Sequence, residues 1–244
     1  MKTKVYIWDL EFRASENYNR ELRIYPGYII CFCCKELGKD KMTTFSTLTH
    51  PGKTATDDRP LVKAIGGHLR QADVHIFQYG LKTDFKFIQT KLVHYGFEPL
   101  PSLPMIIDTH RIAKQKLSLV SNSLRELARF FKLKEQKMEI TAEQWFLAFA
   151  GDKPTLRLIE RRCASDVRVT EQVYLKLRAL DTNHPNLSLL ERNDLTGCPN
   201  CGTSVPMLSN GIRATSKKVY RRFSCRVCGA WSKGEVIKEG KNNA

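Results

Sequence analysis

The chain has 244 residues, 42% hydrophobic and 27% charged, so it can bury a core and is not disordered throughout. Lys and Arg number 40 against 25 Asp and Glu, a net charge of +15 that favours a polyanionic partner, with nucleic acid the first candidate. No apolar run reaches the ~18 residues of a transmembrane helix, so no membrane partner is expected. Asp9 and Glu11 interrupt the N-terminus too early for a signal peptide, and the chain reads as cytoplasmic, or nucleoid-associated.

In chain order, VYIWDLEF (5–12) is β-branched and aromatic and reads as a strand, with Asp9 and Glu11 two residues apart and therefore on one face. Residues 27–37 and 41–48 read as two more strands around a Gly-Lys-Asp turn, an antiparallel hairpin. Residues 49–60 are loop by composition. From Pro60 the period becomes helical, with Leu61, Ile65, His68 and Leu69 on one face. A short buried strand (74–80), a helix (83–96) and another strand (105–110) follow. Helices are predicted over 122–133, with Asn122 or Ser123 as N-cap, over 141–151, and over 154–181. Strands that open as a hairpin and then alternate with helices imply an α/β fold, a mixed sheet flanked by helices. The predicted organisation is a domain over 1–183, a linker over 184–197 broken by Pro185, a Cys-rich unit over 198–234 and a disordered tail over 235–244. Residues 184–244 carry 10 basic and 4 acidic side chains, so the basic excess spreads over both parts.

Cys198-Pro-Asn-Cys201-Gly and Cys225-Arg-Val-Cys228-Gly are two knuckles separated by 23 residues. Each places two thiolates on one tetrahedral zinc, and the following Gly permits the left-handed turn that aims backbone N–H groups at sulfur. One structural Zn2+ is expected. With four cysteines on it no coordination position stays open for catalysis. Between the knuckles lie Lys217, Lys218, Tyr220, Arg221, Arg222 and Phe223. They read as a nucleic-acid surface, cations for phosphate and rings for bases, or as a solvated basic face with the two aromatics in the ribbon core. Cys31, Cys33, Cys34 and Cys163 form no second metal-like pair and read as small buried hydrophobes.

Asp9, Glu11, Asp84 and Asp166 stand in apolar surroundings. A buried carboxylate is costly unless paired or metal-bound. Four of them at one sheet edge could hold two divalent cations for phosphodiester hydrolysis; singly, each also reads as a cap or surface residue, Asp84 as an N-terminal helix charge.

Asp9-x-Glu11 in the first strand resembles the first motif of the DEDD 3′–5′ exonucleases. ADVHIFQYGLKTDFKFI (72–88) is similar to their second motif, with Asp84 as its Asp, and RCASDVRVTEQVYLKL (162–177) to the third, with Asp166 as the fourth carboxylate. Residues 105–114 and 122–133 resemble the connecting segments, so the likeness covers roughly 4–180. It is closest in flavour to the exonuclease domains of family B DNA polymerases. The resemblance implies a ribonuclease H-like fold and two Mg2+ or Mn2+ ions, one on Asp9, Glu11 and Asp166 and the other on Asp9 and Asp84. Asp108 lies outside the four and reads as a structural acid at a strand end. The family carries a water-orienting Tyr four residues before its last Asp, or a His five before; Arg162 and Arg161 occupy those positions. Arginine cannot act as a base. Arg162 reads either as a grip on the scissile phosphate or as part of a solvated helix face.

The expected function is a two-metal 3′–5′ exonuclease, a phosphodiesterase acting on nucleic acid with single-stranded DNA favoured. The alternative is a nuclease-like binding module with weak or lost chemistry, working with a replication, repair or recombination protein partner.

Overall fold

The computed structural model describes residues 3–13, 26–102 and 104–239. Two compact units emerge, one spanning Lys4–Tyr174 and the other beginning at Leu175.

The first unit is built on a five-stranded sheet of order β3-β2-β1-β4-β5, formed by β1 (Val5–Arg13), β2 (Tyr28–Glu36), β3 (Met42–Ser46), β4 (Val74–Phe77) and β5 (Met105–Asp108). The first three strands pair antiparallel, and β4 and β5 add parallel to β1. This is the mixed sheet expected from the hairpin start. Helix α1 (Arg59–Leu69) connects β3 to β4, and α2 (Asp84–His94) connects β4 to β5.

Alternation along β1 divides its side chains between two layers. Tyr6, Trp8 and Leu10 pack with Leu61, Ile65 and Leu69 of α1 and Ile88 and Leu92 of α2. Asp9 and Glu11 point the other way, toward α6 (Lys153–Leu177), whose Cys163 Sγ donates to the Asp9 carbonyl at 3.4 Å. Ile159, Cys163, Val167 and Val173 of α6 are fully buried. The fold is α/β, ribonuclease H-like, with the sheet between helical layers.

Two strands are shorter than the sequence suggested, for one reason. Strand β4 ends at Phe77 and β5 at Asp108, because the Asp108 carboxylate takes backbone N–H groups from both following segments. It accepts from Tyr79 N (2.9 Å) and Leu81 N (3.3 Å), and caps α3 (Thr109–Lys116) through His110 N (3.0 Å) and Arg111 N (3.3 Å). The sequence did not reveal α3 as a separate helix. Helix α4 (Leu124–Phe130) is capped by Ser123, and α5 (Ala142–Phe149) by a capping box of Thr141 and Gln144.

In the second unit the segment expected as a linker carries helix α7 (Leu187–Arg192), capped by Asn186. It is no free tether: Leu187 is buried and its N–H donates to Pro199 O at 2.8 Å. A three-stranded antiparallel sheet follows, of β6 (Leu208–Ala214), β7 (Lys218–Ser224) and β8 (Trp231–Glu239). Strand β8 pairs with β7 out to Glu239, so the segment 235–239, expected in a disordered tail, is part of the ribbon. The remainder of that tail, 240–244, lies outside the described residues. No described helix is long and apolar enough to cross a membrane.

Candidate active site and zinc ribbon

Strand β1 and helix α6 bring Asp9, Glu11 and Asp166 together. Asp166 is 2% exposed and Glu11 8%. The Asp9 carboxyl is pushed well above the usual carboxylate range by burial first, then by the charges of Glu11, Asp166 and Asp84. Burial raises Glu11 to about 7, with Arg162 pulling the other way. Burial also raises Asp84, which opens α2 and takes the Thr83 hydroxyl at 2.5 Å. Mutual repulsion of this kind among buried carboxylates is relieved by cations.

Two side-chain cations stand among them. Arg162 pairs with Glu11, and its Nη2 lies 3.5 Å from Asp166 Oδ2. Lys137 Nζ reaches the same oxygen at 3.0 Å. Burial works against charge on Arg162, but Glu11, Asp166 and Asp9 outweigh it and hold it protonated. The guanidinium lies 5.3 Å from the Trp145 ring of α5. Arg162 is therefore no solvated surface residue.

Lys137 carried no motif in the sequence. It is set by Glu135, which accepts from Ser165 Oγ at 3.0 Å and Arg168 Nε at 2.7 Å and so ties the segment after α4 to α6. An acid two residues before a basic residue was too weak a signal to find it.

The carboxylates suit a divalent ion of the hard, oxygen-seeking kind. Asp166 Oδ1 is buried without a hydrogen-bond partner. An acceptor left unpaired in that setting costs free energy unless something cationic meets it.

Asp9 opens into a cavity of about 370 Å3 lined by Gln78, Tyr79, His110, Ser123 and Lys137. Ser123 and Lys137 also line a larger groove, about 780 Å3, with Arg125, Arg129 and Phe130. His75, by contrast, is buried away from it, accepting from Trp8 Nε1 at 3.2 Å. Asp108 is the structural acid expected.

Behind Asp9 the structure gathers three sulfurs. Cys31, Cys33 and Cys163 are buried, as expected, but their Sγ atoms all lie within 4.8 Å of one another. Strand register brings this about, since Cys31 faces Glu11 and Cys33 faces Asp9 across the β1–β2 ladder.

In the second unit Cys198, Cys201, Cys225 and Cys228 form one cluster. The Sγ atoms of Cys198 and Cys228 are 3.6 Å apart, those of Cys201 and Cys225 3.7 Å. A tetrahedron with the ~2.3 Å arms of zinc–thiolate bonds has edges of about 3.8 Å. Gly202 (φ 69°) and Gly229 (φ 76°) take the left-handed turns expected after each knuckle. The four thiols fit zinc.

The basic segment of β7 divides between two faces. Arg222 lies over the Trp231 ring (4.4 Å) and Lys233 over the Tyr220 ring (5.0 Å), which puts these four on one side. Arg221 pairs with Glu235 at 3.0 Å. Phe223 packs where a Cβ on Gly234 would come within 2.3 Å of its ring. Lys217 is exposed and Lys218 pairs with Glu239 at 2.8 Å. Trp231 and Lys233 were not among the residues the sequence singled out, because they lie beyond the second knuckle.

The RNase_H superfamily model matches residues 21–178, about two thirds of the chain. The chain belongs to this superfamily. The match begins after Asp9 and Glu11, so the first two carboxylates rest on the structure. Among solved structures, the family B DNA polymerase of the hyperthermophilic archaeon Pyrobaculum calidifontis is similar, with a TM-score of 0.52 and 16% identity over 73% of this chain. At that identity it supports the fold alone. The alignment spans 26% of the polymerase chain. No curated protein matches.

Proposed function

We propose that the first unit is a divalent-metal-dependent 3′–5′ exonuclease acting on single-stranded DNA. The observation that carries this reading is the gathering of Glu11 and Asp166 around Arg162 beside Asp9, which lines a cavity, with Asp84 close enough to raise the Asp9 pKa. Divalent metal bound by these carboxylates would activate water and offset charge on the departing oxygen. Asp9, Asp84 and Asp166 are the side chains that would hold divalent metal there. Arg162 and Lys137 offer positive charge to the scissile phosphate, a preorganised stabilisation rather than proton transfer. The groove past Arg125, Arg129 and Phe130 gives a strand cations for its phosphates and an exposed ring for a base. The preference for DNA rests on the likeness to a DNA polymerase.

The zinc ribbon serves in this reading as a second strand contact, through Tyr220, Arg222, Trp231 and Lys233.

One observation favours a second reading, a binding module that has lost its chemistry: Arg162 lies on Glu11, against carboxylates that a metal would use. Incubation of 5′-labelled single strands with Mg2+ or Mn2+ separates the two. A ladder shortening from the 3′ end supports the exonuclease, and bound but intact strands support the module.

A further inference from the structure

We propose that the carboxylate cluster takes one divalent ion and that Arg162 and Lys137 occupy the place of a second. The inference rests on the exonuclease reading and departs from the two ions that the sequence resemblance implies.

The first argument is occupancy. Glu11 is engaged by Arg162, and Asp166 Oδ2 by both Arg162 and Lys137. The oxygens that these contacts leave are those of Asp9, Glu11 Oε2, the unpartnered Asp166 Oδ1, and Asp84, whose Oδ2 already takes the Thr83 hydroxyl at 2.5 Å. These suffice for one ion completed by water. A second ion on Glu11 and Asp166 Oδ2 would have to displace the guanidinium.

The second argument is charge. Once metal binding has drawn the protons off, four carboxylates facing two fixed cations leave two negative charges, which one divalent ion neutralises. A second ion would leave the cluster with two surplus positive charges, against a single negative charge on an arriving phosphodiester. Surplus charge of either sign is expensive where solvent is scarce.

The third argument is that the cations are held from behind. Arg162 is backed by Trp145 at 5.3 Å and is only 13% exposed. Lys137 sits on a segment anchored by Glu135 to Ser165 and Arg168. Neither is a free surface side chain able to leave at little cost. An arginine in place of a water-orienting tyrosine is then no loss of function. Together with Lys137 it supplies the two charges of a divalent ion, and a guanidinium can make paired hydrogen bonds to phosphate oxygens that a metal would otherwise contact.

The test is a count. The full chain, with zinc in its ribbon, is titrated with Mn2+ and free ion is followed by electron paramagnetic resonance. The Asp9→Ala/Asp166→Ala variant provides the blank for sites elsewhere. Wild type should bind one ion more than the blank, and Arg162→Ala/Lys137→Ala two more. Two extra ions in wild type would overturn the inference and leave the exonuclease reading standing. No extra ion would overturn both. One ion in wild type and still one in the folded Arg162→Ala/Lys137→Ala protein would refute the role given to the two cations. Should that variant fail to fold, the wild-type count against the blank decides alone.

Discussion

Arg162 Nη2 stands 3.5 Å from Asp166 Oδ2, one turn along the same helix, while the same guanidinium pairs with Glu11 across on β1. The contact joins the second and last carboxylates of the cluster, Glu11 and Asp166, through a group that cannot lose its proton. Arg162→Ala should therefore act on stability and chemistry together. Leaving Glu11 without its cation and Asp166 with Lys137 alone should lower the stability of the metal-free protein by up to about 3 kcal/mol, less where a carboxyl takes up a proton. Added Mn2+ should recover most of the loss. At limiting metal, cleavage should fall by about tenfold or more, because a fixed donor to developing charge is gone. Thermal melts with and without Mn2+, and initial rates across a metal titration, check this. Wild-type rates at limiting metal would contradict it.

The ribbon should hold one zinc, and its folding should depend on it, since binding energy at such a site is largely folding energy. Cys198→Ser/Cys225→Ser should abolish the zinc found by elemental analysis and collapse the amide resonances of β6–β8. The sheet on Lys4–Tyr174 should persist. Retained ribbon resonances without zinc would refute the assignment.

His75 gives the protein an acid limit. Burial holds its pKa at about 4, and Trp8 donates to Nδ1, so the ring is neutral in the fold. In the unfolded chain it takes a proton near pH 6.5. Its contribution is therefore complete above about pH 6.5 and is lost as pH falls toward 4, at no more than about 1.4 kcal/mol per pH unit. His75→Gln keeps an acceptor for Trp8 and should flatten this part of the profile. Urea melts at several pH values compare the slopes, and equal slopes for both proteins would exclude His75 as the source.

On the ribbon, the two faces of β7 should differ. Tyr220→Ala and Trp231→Ala should each weaken single-strand binding, by about 1–3 kcal/mol for a stacked base. Arg222→Ala should also lower the log–log salt slope by about 0.7. Arg221→Ala, whose side chain is engaged by Glu235 on the other face, should have less effect. Fluorescence anisotropy on a labelled oligonucleotide gives these values. Equal losses on both faces would remove the distinction.

The sheet and most helices were legible because each is a strong local pattern. Asp9 and Glu11 announced themselves as acids inside a β-branched strand, and the Cys pairs by their spacing. What escaped was set by contacts distant in sequence. The ends of β4 and β5 are decided by one carboxylate, Asp108, that collects N–H groups from the segment after β4 and from the first turn of α3. The division of β7 into two faces depends on partners in β8. Lys137 sits in a polar segment and reaches Asp166 only because Glu135 binds α6. The character of Arg162 could not be settled by its neighbours Glu160 and Arg161, since Trp145 and Glu11 come from other elements.

The most direct test of the account is cleavage of 5′-labelled and 3′-labelled single-stranded DNA by zinc-replete wild type and Asp9→Ala, with Mg2+ or Mn2+ and with chelator. The account predicts a shortening ladder from the 5′ label and early release of mononucleotide from the 3′ label. Both should disappear with chelator, and Asp9→Ala should reduce them by about a hundredfold or more, since a lost ion removes several kcal/mol of charge stabilisation. Intact strands under every metal condition, or equal cleavage by Asp9→Ala, would contradict it.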